Sequence, residues 1–244
     1  LAVERLTSGR PQADILLEVK KEMIERDGLL EFIPQATGLA AVGGLARLKG
    51  WLATRRTAFT AEARAFGVEA PRGVLLLGVQ GCGKSSCVKA VAREWGLPLL
   101  RLEATRLYDK YIGESEKNLE RVLAVSEGMA PVVLWIDEIE KGFAYSRTGD
   151  SDAGLSKRLF GRLLTWLQER KGPVFLVATC NDAGTLPPEL MRKGRFDEVF
   201  FVDLPSPDER TEILRIHLAR RKRDPAHFDL AALAAASEGF SGAE

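Results

Sequence analysis

Residues 78–85, GVQGCGKS, fit the pattern Gly-x-x-x-x-Gly-Lys-Ser. An apolar run, VLLL, precedes them at 74–77, and a helical pattern follows from about 85. That context is what a phosphate-binding loop requires. Glycines let backbone N–H groups wrap phosphate oxygens without side-chain clash, and the helix N-terminus adds its dipole. Lys84 can reach the terminal phosphates, and the Ser85 hydroxyl can bind Mg²⁺. The contacts to the nucleotide are expected along Gln80-Gly81-Cys82-Gly83-Lys84-Ser85-Ser86. A second apolar run, VVLWI at 132–136, delivers Asp137 and Glu138 at its C-terminal end. Asp137 is placed to hold Mg²⁺ through water, and Glu138 to polarise an attacking water as general base.

Each of these features has a plainer reading. The glycine loop could arise by chance, and Asp137-Glu138 could merely cap the next helix. Their occurrence together, each after a strand pattern, argues against both. A small-molecule kinase would use the same loop but would not need Glu138. A guanine site would need Asn-Lys-x-Asp. The nearest candidate, Asn181-Asp182, lacks the Lys and the spacing, so guanine is excluded.

The elements that must hold these groups are legible as alternation. The runs 74–77, 98–102, 132–136, 174–179 and 199–202 are short and apolar, and helical patterns at about 85–95, 114–127 and 153–169 separate most of them. The expectation is an α/β fold: a parallel five-stranded sheet sandwiched by helices. Residues 1–38 are expected to be a helical lead-in. Within it, 13–27 forms an amphipathic helix with Leu16, Val19 and Met23 on one face, and an irregular stretch follows Gly28. Residues 46–66 read as one helical stretch, and 39–204 as the large α/β domain. After 205 the pattern becomes helical. Ser206-Pro207-Asp208-Glu209 is an N-cap, a first-turn proline and a capping box, opening a helix to about Arg221. A second helix follows Asp229, and a third is expected from Ser241. Residues 205–244 therefore read as a small helical lid, incomplete at Glu244.

The chain has 244 residues, 45% of them hydrophobic and 28% charged, with 35 Lys and Arg against 34 Asp and Glu. The balance of +1 gives no global field for nucleic acid or acidic membranes. Cys82, Cys87 and Cys180 are an odd set without metal-ligand spacing and read as reduced thiols. No apolar run is long enough to span a bilayer, and the first residues have no signal-peptide character. The start without Met and the stop within GFSGAE suggest a piece of something longer.

Further segments complete a pattern. ATCND (178–182) ends a strand with Asn181, and MRKGRFDEVFFVDLP (191–205) carries Arg192 and Arg195. KYIGESEKN follows the second strand, and RIHL (215–218) and GFSGAE (239–244) lie in the helical region. In this order the set resembles the P-loop NTPases known as AAA+ ATPases, of the classical AAA clade, over about residues 39–244. EWGLPLLRL, LWIDEIEK and RKGRFDEVFFVDLP are most similar to AAA proteins encoded in cyanobacterial and algal plastid genomes.

The resemblance implies Mg²⁺-dependent ATP hydrolysis by a homo-oligomeric ring, usually a hexamer, that remodels or translocates a protein partner. It implies that Asn181 is the polar sensor that positions the water. Arg192 and Arg195 would be fingers inserted into the neighbouring subunit's site, worth about 10³–10⁵ in rate for such arginines. As a bland alternative they are surface arginines. Val42 and Gly43, with Ile213 and His217 on one helical face, would surround adenine, and Gly242 and Ala243 would close its pocket. Tyr111, Ile112 and Gly113 would form the pore loop that grips an extended polypeptide; otherwise they are a turn tucked onto the sheet. A cytoplasmic location is implied, or the plastid stroma for a plastid-encoded chain.

The sequence also departs from the family pattern. Val79-Gln80 stand where two prolines are usual, and no Asp-Gly-Phe lies between 169 and 174. No His-Glu-x-x-His follows, so a fused zinc protease is not supported. Arg220-Arg221-Lys222-Arg223 read as a solvated helix end rather than a nucleic-acid patch. RTGDSDAG (147–154) is a polar loop, either a second pore loop or a connection. The alternative function is an ATP-gated regulator or scaffold, in which nucleotide sets assembly and partner binding without threading.

Overall fold

The computed structural model describes residues 18, 21, 22, 24, 26, 28–34, 38–108, 113–143, 151–170, 172–192 and 194–244. Their strands are β1 (Leu30–Phe32), β2 (Gly73–Gly78), β3 (Leu99–Glu103), β4 (Val132–Asp137), β5 (Val174–Cys180) and β6 (Glu198–Val202). They form one sheet in the order β1-β3-β4-β5-β2-β6. The five strands from β2 to β6 pair in parallel.

The sixth strand corrects the expected five. β1 lies in the stretch read as an irregular lead-in and pairs antiparallel with β3, Glu31 opposite Arg101. Three residues are too few for a periodic signal. They become a strand because Leu30 buries its side chain and the backbone finds an edge to pair with. Of the helix expected over 13–27, residues 18, 21, 22, 24 and 26 are helical and Ile24 is buried. Leu16, Val19 and Met23 lie outside the described residues.

Parallel strands covered on both faces should bury every residue, and β2, β4 and β5 do so almost throughout. Alternation then divides the core in two. Leu75, Leu77, Leu134, Ile136 and Leu176 pack on one face, against α4 (Glu114–Gly128) and α6 (Ser151–Glu169). Val74, Leu76, Val133, Trp135 and Val177 pack on the other, against α1 (Ala46–Arg55) and α3 (Lys84–Trp95). Helix faces match: Leu159, Leu163 and Leu167 of α6 recur at four-residue intervals. Phe175 is enclosed by Trp51, Phe59 and Trp95, with ring centroids 6.3, 6.2 and 4.6 Å away.

The stretch 46–66 is not one helix. After α1 a 3-10 turn runs from Arg56 to Phe59, and Thr60 caps a separate α2 (Ala61–Ala65) by accepting from Ala63 N–H. α5 (Ile139–Phe143) follows β4 directly. In the C-terminal region, α7 (Pro207–Arg220) starts with the expected capping box, and α8 (Leu230–Ala236) packs against it. Arg210 joins them by donating to Ala234 O at 2.8 Å. Residues Ser241–Glu244 form a turn in which Ser241 N–H donates to Glu244 Oε2 at 2.8 Å, the back-bond of a capping box where a third helix is expected to begin.

From β2 the chain crosses over β5 and β4 to β3 and then returns strand by strand, so the C-terminal ends of β4, β5 and β2 lie side by side, where open α/β sheets bind ligands. Lys84, Ser85, Asp137, Glu138 and Asn181 all sit at those ends.

Candidate functional site

A cavity of about 550 Å³ opens there, between the 78–86 loop, the ends of β4 and β5, the 41–45 segment and α7. Its size suits a nucleotide-scale ligand.

The loop enters it from β2 through Gly78. This glycine lies against the Val202 backbone of β6, where any Cβ would collide, and its φ is +138°. Gly81 and Gly83 have φ +83° and +88°, in the left-handed region that glycine adopts freely. Gly83 is the N-cap of α3, so the first N–H groups of that helix point at the cleft. Lys84 is only 7% exposed, and its Nζ donates to Gly78 O at 2.6 Å and Val79 O at 2.8 Å. Burial lowers its pKa from the ordinary lysine value, and nearby Cys82, Glu140 and Asp137 act the other way. Ser85 and Ser86 are exposed at the cleft.

Across the cleft, Asp137 ends β4 with both carboxylate oxygens engaged. Oδ1 accepts from the Thr179 hydroxyl at 2.8 Å, and Oδ2 from Arg101 Nη2 at 2.7 Å. Glu138 follows in a left-handed conformation, φ +50°, which is costly for a residue with a Cβ. Its N–H donates to Thr179 Oγ1 at 3.1 Å, which supports the turn. One carboxylate oxygen accepts from Asn181 Nδ2 at 3.1 Å, and the other from Lys141 Nζ at 2.6 Å. Asn181 N–H donates to Glu140 at 3.0 Å. The acid expected to act as base and the amide expected to act as sensor are thus in direct contact.

The roof comes from the C-terminal region. Ile213 and His217, one turn apart on α7, both line the cavity with Val42 and Gly43. A Cβ on Gly43 would come within 2.5 Å of Ile213 Cγ1, so the chain passes flat over that side chain. Gly242 and Ala243 lie beside Gly81. Burial lowers the His217 pKa, and Arg220 and Arg221 add to it.

Arg192 and Arg195 do not line the cavity. Arg192 is exposed, and Arg195 Nη1 donates to Leu164 O of α6 at 3.2 Å. Tyr111 and Ile112 lie outside the described residues. Gly113 has φ +85° and is the N-cap of α4. Residues 147–150 of the polar loop are likewise outside, and α6 begins at Ser151.

Several residues in or beside the cleft carry no catalytic motif. Thr179 and Arg101 are polar positions in otherwise apolar strand runs, and that interruption was the available signal. Glu209 closes the capping box on Ser206 and also accepts from Leu45 N–H at 3.1 Å; Glu212 accepts from Gly44 N–H at 2.8 Å. Arg220, taken as a solvated helix end, reaches Ala41 O at 2.7 Å. The three cysteines are free, and burial pushes the Cys87 and Cys180 thiols up to about 12, with Glu140 contributing at Cys180.

The donors suit Mg²⁺. Ser85 and Asp137 offer oxygen only, and no cluster of three or more His, Cys, Asp and Glu exists among the described residues. A hard cation that keeps most of its waters and binds phosphate fits that sparse set.

A parallel sheet whose first buried strand runs through a glycine loop into a helix defines the P-loop NTPase fold. A profile of the family described as "ATPase family associated with various cellular activities (AAA)" matches residues 74–204. The chain belongs to that family, the one its motifs resemble. It is 45% identical over 232 residues to "Uncharacterized AAA domain-containing protein ycf46" of Guillardia theta, covering 95% of this chain and 46% of that protein. A protein of the same description from Gracilaria tenuistipitata var. liui is 41% identical over 245 residues, covering 100% of the chain and 50% of that protein. The "Proteasome-activating nucleotidase" of Pyrococcus horikoshii is 36% identical over 183 residues, 73% of this chain and 45% of that protein. The chain spans about half the length of the curated relatives it matches first. Among the described residues, no helix is long and apolar enough to cross a membrane.

Proposed function

We propose that this AAA domain hydrolyses ATP with Mg²⁺ as part of a homo-oligomeric ring, and that the ring remodels or translocates a protein partner. The observation that carries the hydrolytic part is the convergence of Lys84, Asp137, Glu138 and Asn181 on one cleft beneath α7. In this reading the 205–244 region is a lid on the 39–204 domain.

The roles follow from charge and geometry. Lys84 and the N–H groups of the loop hold the phosphates, and Val42, Gly43, Ile213, His217, Gly242 and Ala243 hold the base. Ser85 and Asp137 would hold Mg²⁺, which supplies charge neutralisation at the phosphates. Glu138 takes the proton of the attacking water. Asn181 keeps the Glu138 carboxylate aimed, as its 3.1 Å bond to Oε1 does here. A hexamer is the assembly we expect, with Arg192 and Arg195 completing a neighbour's site. The place of both outside this chain's own cleft supports that reading. The protein partner would be gripped by Tyr111, Ile112 and Gly113. We place the protein in the cytoplasm, or in the plastid stroma for a plastid-encoded chain.

Glu138→Gln tests the core of this assignment. An amide cannot take up the proton, so ATP should remain bound while turnover falls about 10²–10⁴-fold. Turnover at the wild-type rate would sink the assignment of the base. Mixing Glu138→Gln with Arg195→Ala should restore part of the activity if the arginine acts between subunits. Tyr111→Ala separates the motor from the ATP-gated switch: loss of work on a partner with ATPase retained favours threading.

A further inference from the structure

Arg101 lies within a buried strand, and its side chain belongs to a row of polar groups that crosses the sheet. Strand register puts Glu31 of β1 opposite Arg101 of β3, and Arg101 beside Trp135 of β4. Asp137, two residues past Trp135, shares that face. Arg101 Nη2 donates to Asp137 Oδ2 at 2.7 Å, and Nη1 lies 3.4 Å from Glu31 Oε2. The guanidinium sits 5.1 Å from the Trp135 ring centroid, and its buried Nε has no hydrogen-bond partner among the described residues. Thr179 of β5 ends the row on the other oxygen of Asp137. One arginine charge therefore serves two carboxylates. Asp137, 14% exposed, faces the cleft, and Glu31, 47% exposed, stands on the edge strand.

We propose that Arg101 is a positioning residue that sets how strongly Asp137 attracts the Mg²⁺ of the nucleotide, and that Glu31 sets how much of the Arg101 charge falls on Asp137. The proposal rests on the Mg²⁺–ATP reading of the cleft. A guanidinium 2.7 Å from the carboxylate opposes an incoming cation and fixes the carboxylate plane. Glu31 draws that same guanidinium the other way. The edge strand added by the residues before the large domain thus has an electrostatic line to the metal site, across β1, β3 and β4.

The opposite signs of two substitutions make this testable. Binding of a fluorescent, non-hydrolysable ATP analogue is titrated with Mg²⁺, and the same analogue is titrated in EDTA as a control. Arg101→Met removes the opposing charge, so the half-saturating Mg²⁺ should fall about three- to tenfold. Glu31→Gln frees Arg101 for Asp137, so the half-saturating Mg²⁺ should rise, by about twofold for so exposed a pair. In the Arg101→Met background, Glu31→Gln should do nothing further. Affinity in EDTA is the metal-free baseline: Arg101 lines the cleft, so Arg101→Met leaves Asp137 uncompensated and should weaken, not tighten, metal-free binding, opposite to its effect with Mg²⁺. Arg101→Lys keeps a charge in the row and should stay near wild type; with Glu31→Gln it carries the test if Arg101→Met does not fold. Shifts of the same sign for Arg101→Met and Glu31→Gln, or none in folded protein, overturn the inference. Wild-type binding that ignores Mg²⁺ would instead overturn the reading on which it rests.

Discussion

In β2, β4 and β5, which floor the cleft, almost every residue is buried, whereas α7, which roofs it, buries none. The floor is held by apolar packing on both faces of the sheet. The roof is held by Glu209, Glu212 and Arg220, which clasp the backbone of residues 41–45 through three hydrogen bonds, and by Ile213 under Gly43. Close-packed interiors deform little, while part-exposed hydrogen bonds can exchange with water at small net cost. The floor is therefore built to fix the atoms that do chemistry. The roof is held by contacts that water can replace.

The largest effect should come from the floor's own cation. Lys84→Ala removes the charge proposed to hold the phosphates and the two bonds from Nζ to Gly78 O and Val79 O. Removing a buried charge partner costs about 2–5 kcal/mol of binding. Titration with a fluorescent ATP analogue should show binding reduced to the edge of detection. Affinity near that of wild type would mean that the loop does not hold phosphate.

A packing change separates the two regions next. Leu134 is fully buried in the middle of β4. Leu134→Ala should cost about 2–5 kcal/mol of global stability, seen as a lower denaturant midpoint at unchanged slope. Ile213→Ala in the roof should cost well under half of that and should weaken nucleotide binding instead. Equal losses of stability would show that the roof is as tightly packed as the floor, and the contrast would fail.

The same contrast explains what could be read from the sequence. The 78–85 loop, Asp137 and Glu138 are legible because each depends on its own strand and the turn after it. The capping box at Ser206 and the one-turn spacing of Ile213 and His217 are legible for the same reason. β1 is not, because three residues become a strand only by pairing with β3, some seventy positions away. Arg101 and Thr179 look like interruptions of apolar runs until register sets them beside Asp137. Glu209 satisfies a local motif with one oxygen, which hides that its other oxygen holds Leu45 across the cleft. At Ser241 the local signal is of the same kind: its N–H donates to Glu244 at 2.8 Å, the back-bond of a capping box, while Gly242 and Ala243 lie beside the 78–86 loop.

Glu209 gives the smallest effect and the finest test of the roof. Its carboxylate serves two backbone donors, Ser206 N–H on Oε2 and Leu45 N–H on Oε1. Glu209→Gln leaves one acceptor oxygen for both, at a cost of about 1 kcal/mol, felt at the lid rather than the sheet. Burial alone would raise the Glu209 pKa, but the bonds from Ser206 and Leu45, with Ser206's hydroxyl and Lys49, outweigh it and hold the value below 4.5. A carboxylate whose pKa is lower folded than unfolded contributes stability that is complete above the unfolded value and is lost as pH falls through the folded one. Wild-type nucleotide affinity should therefore carry no Glu209 dependence at neutral pH or down to about pH 5. Below that, protonation of Glu209 should loosen the clasp, provided the fold itself survives. Glu209→Gln should show the weakened affinity already at pH 7 and lose that part of the acid dependence. If the variant and wild type kept the same acid limb, the clasp would owe nothing to the charge on Glu209, and the roof would be held by Ile213 and its neighbours alone.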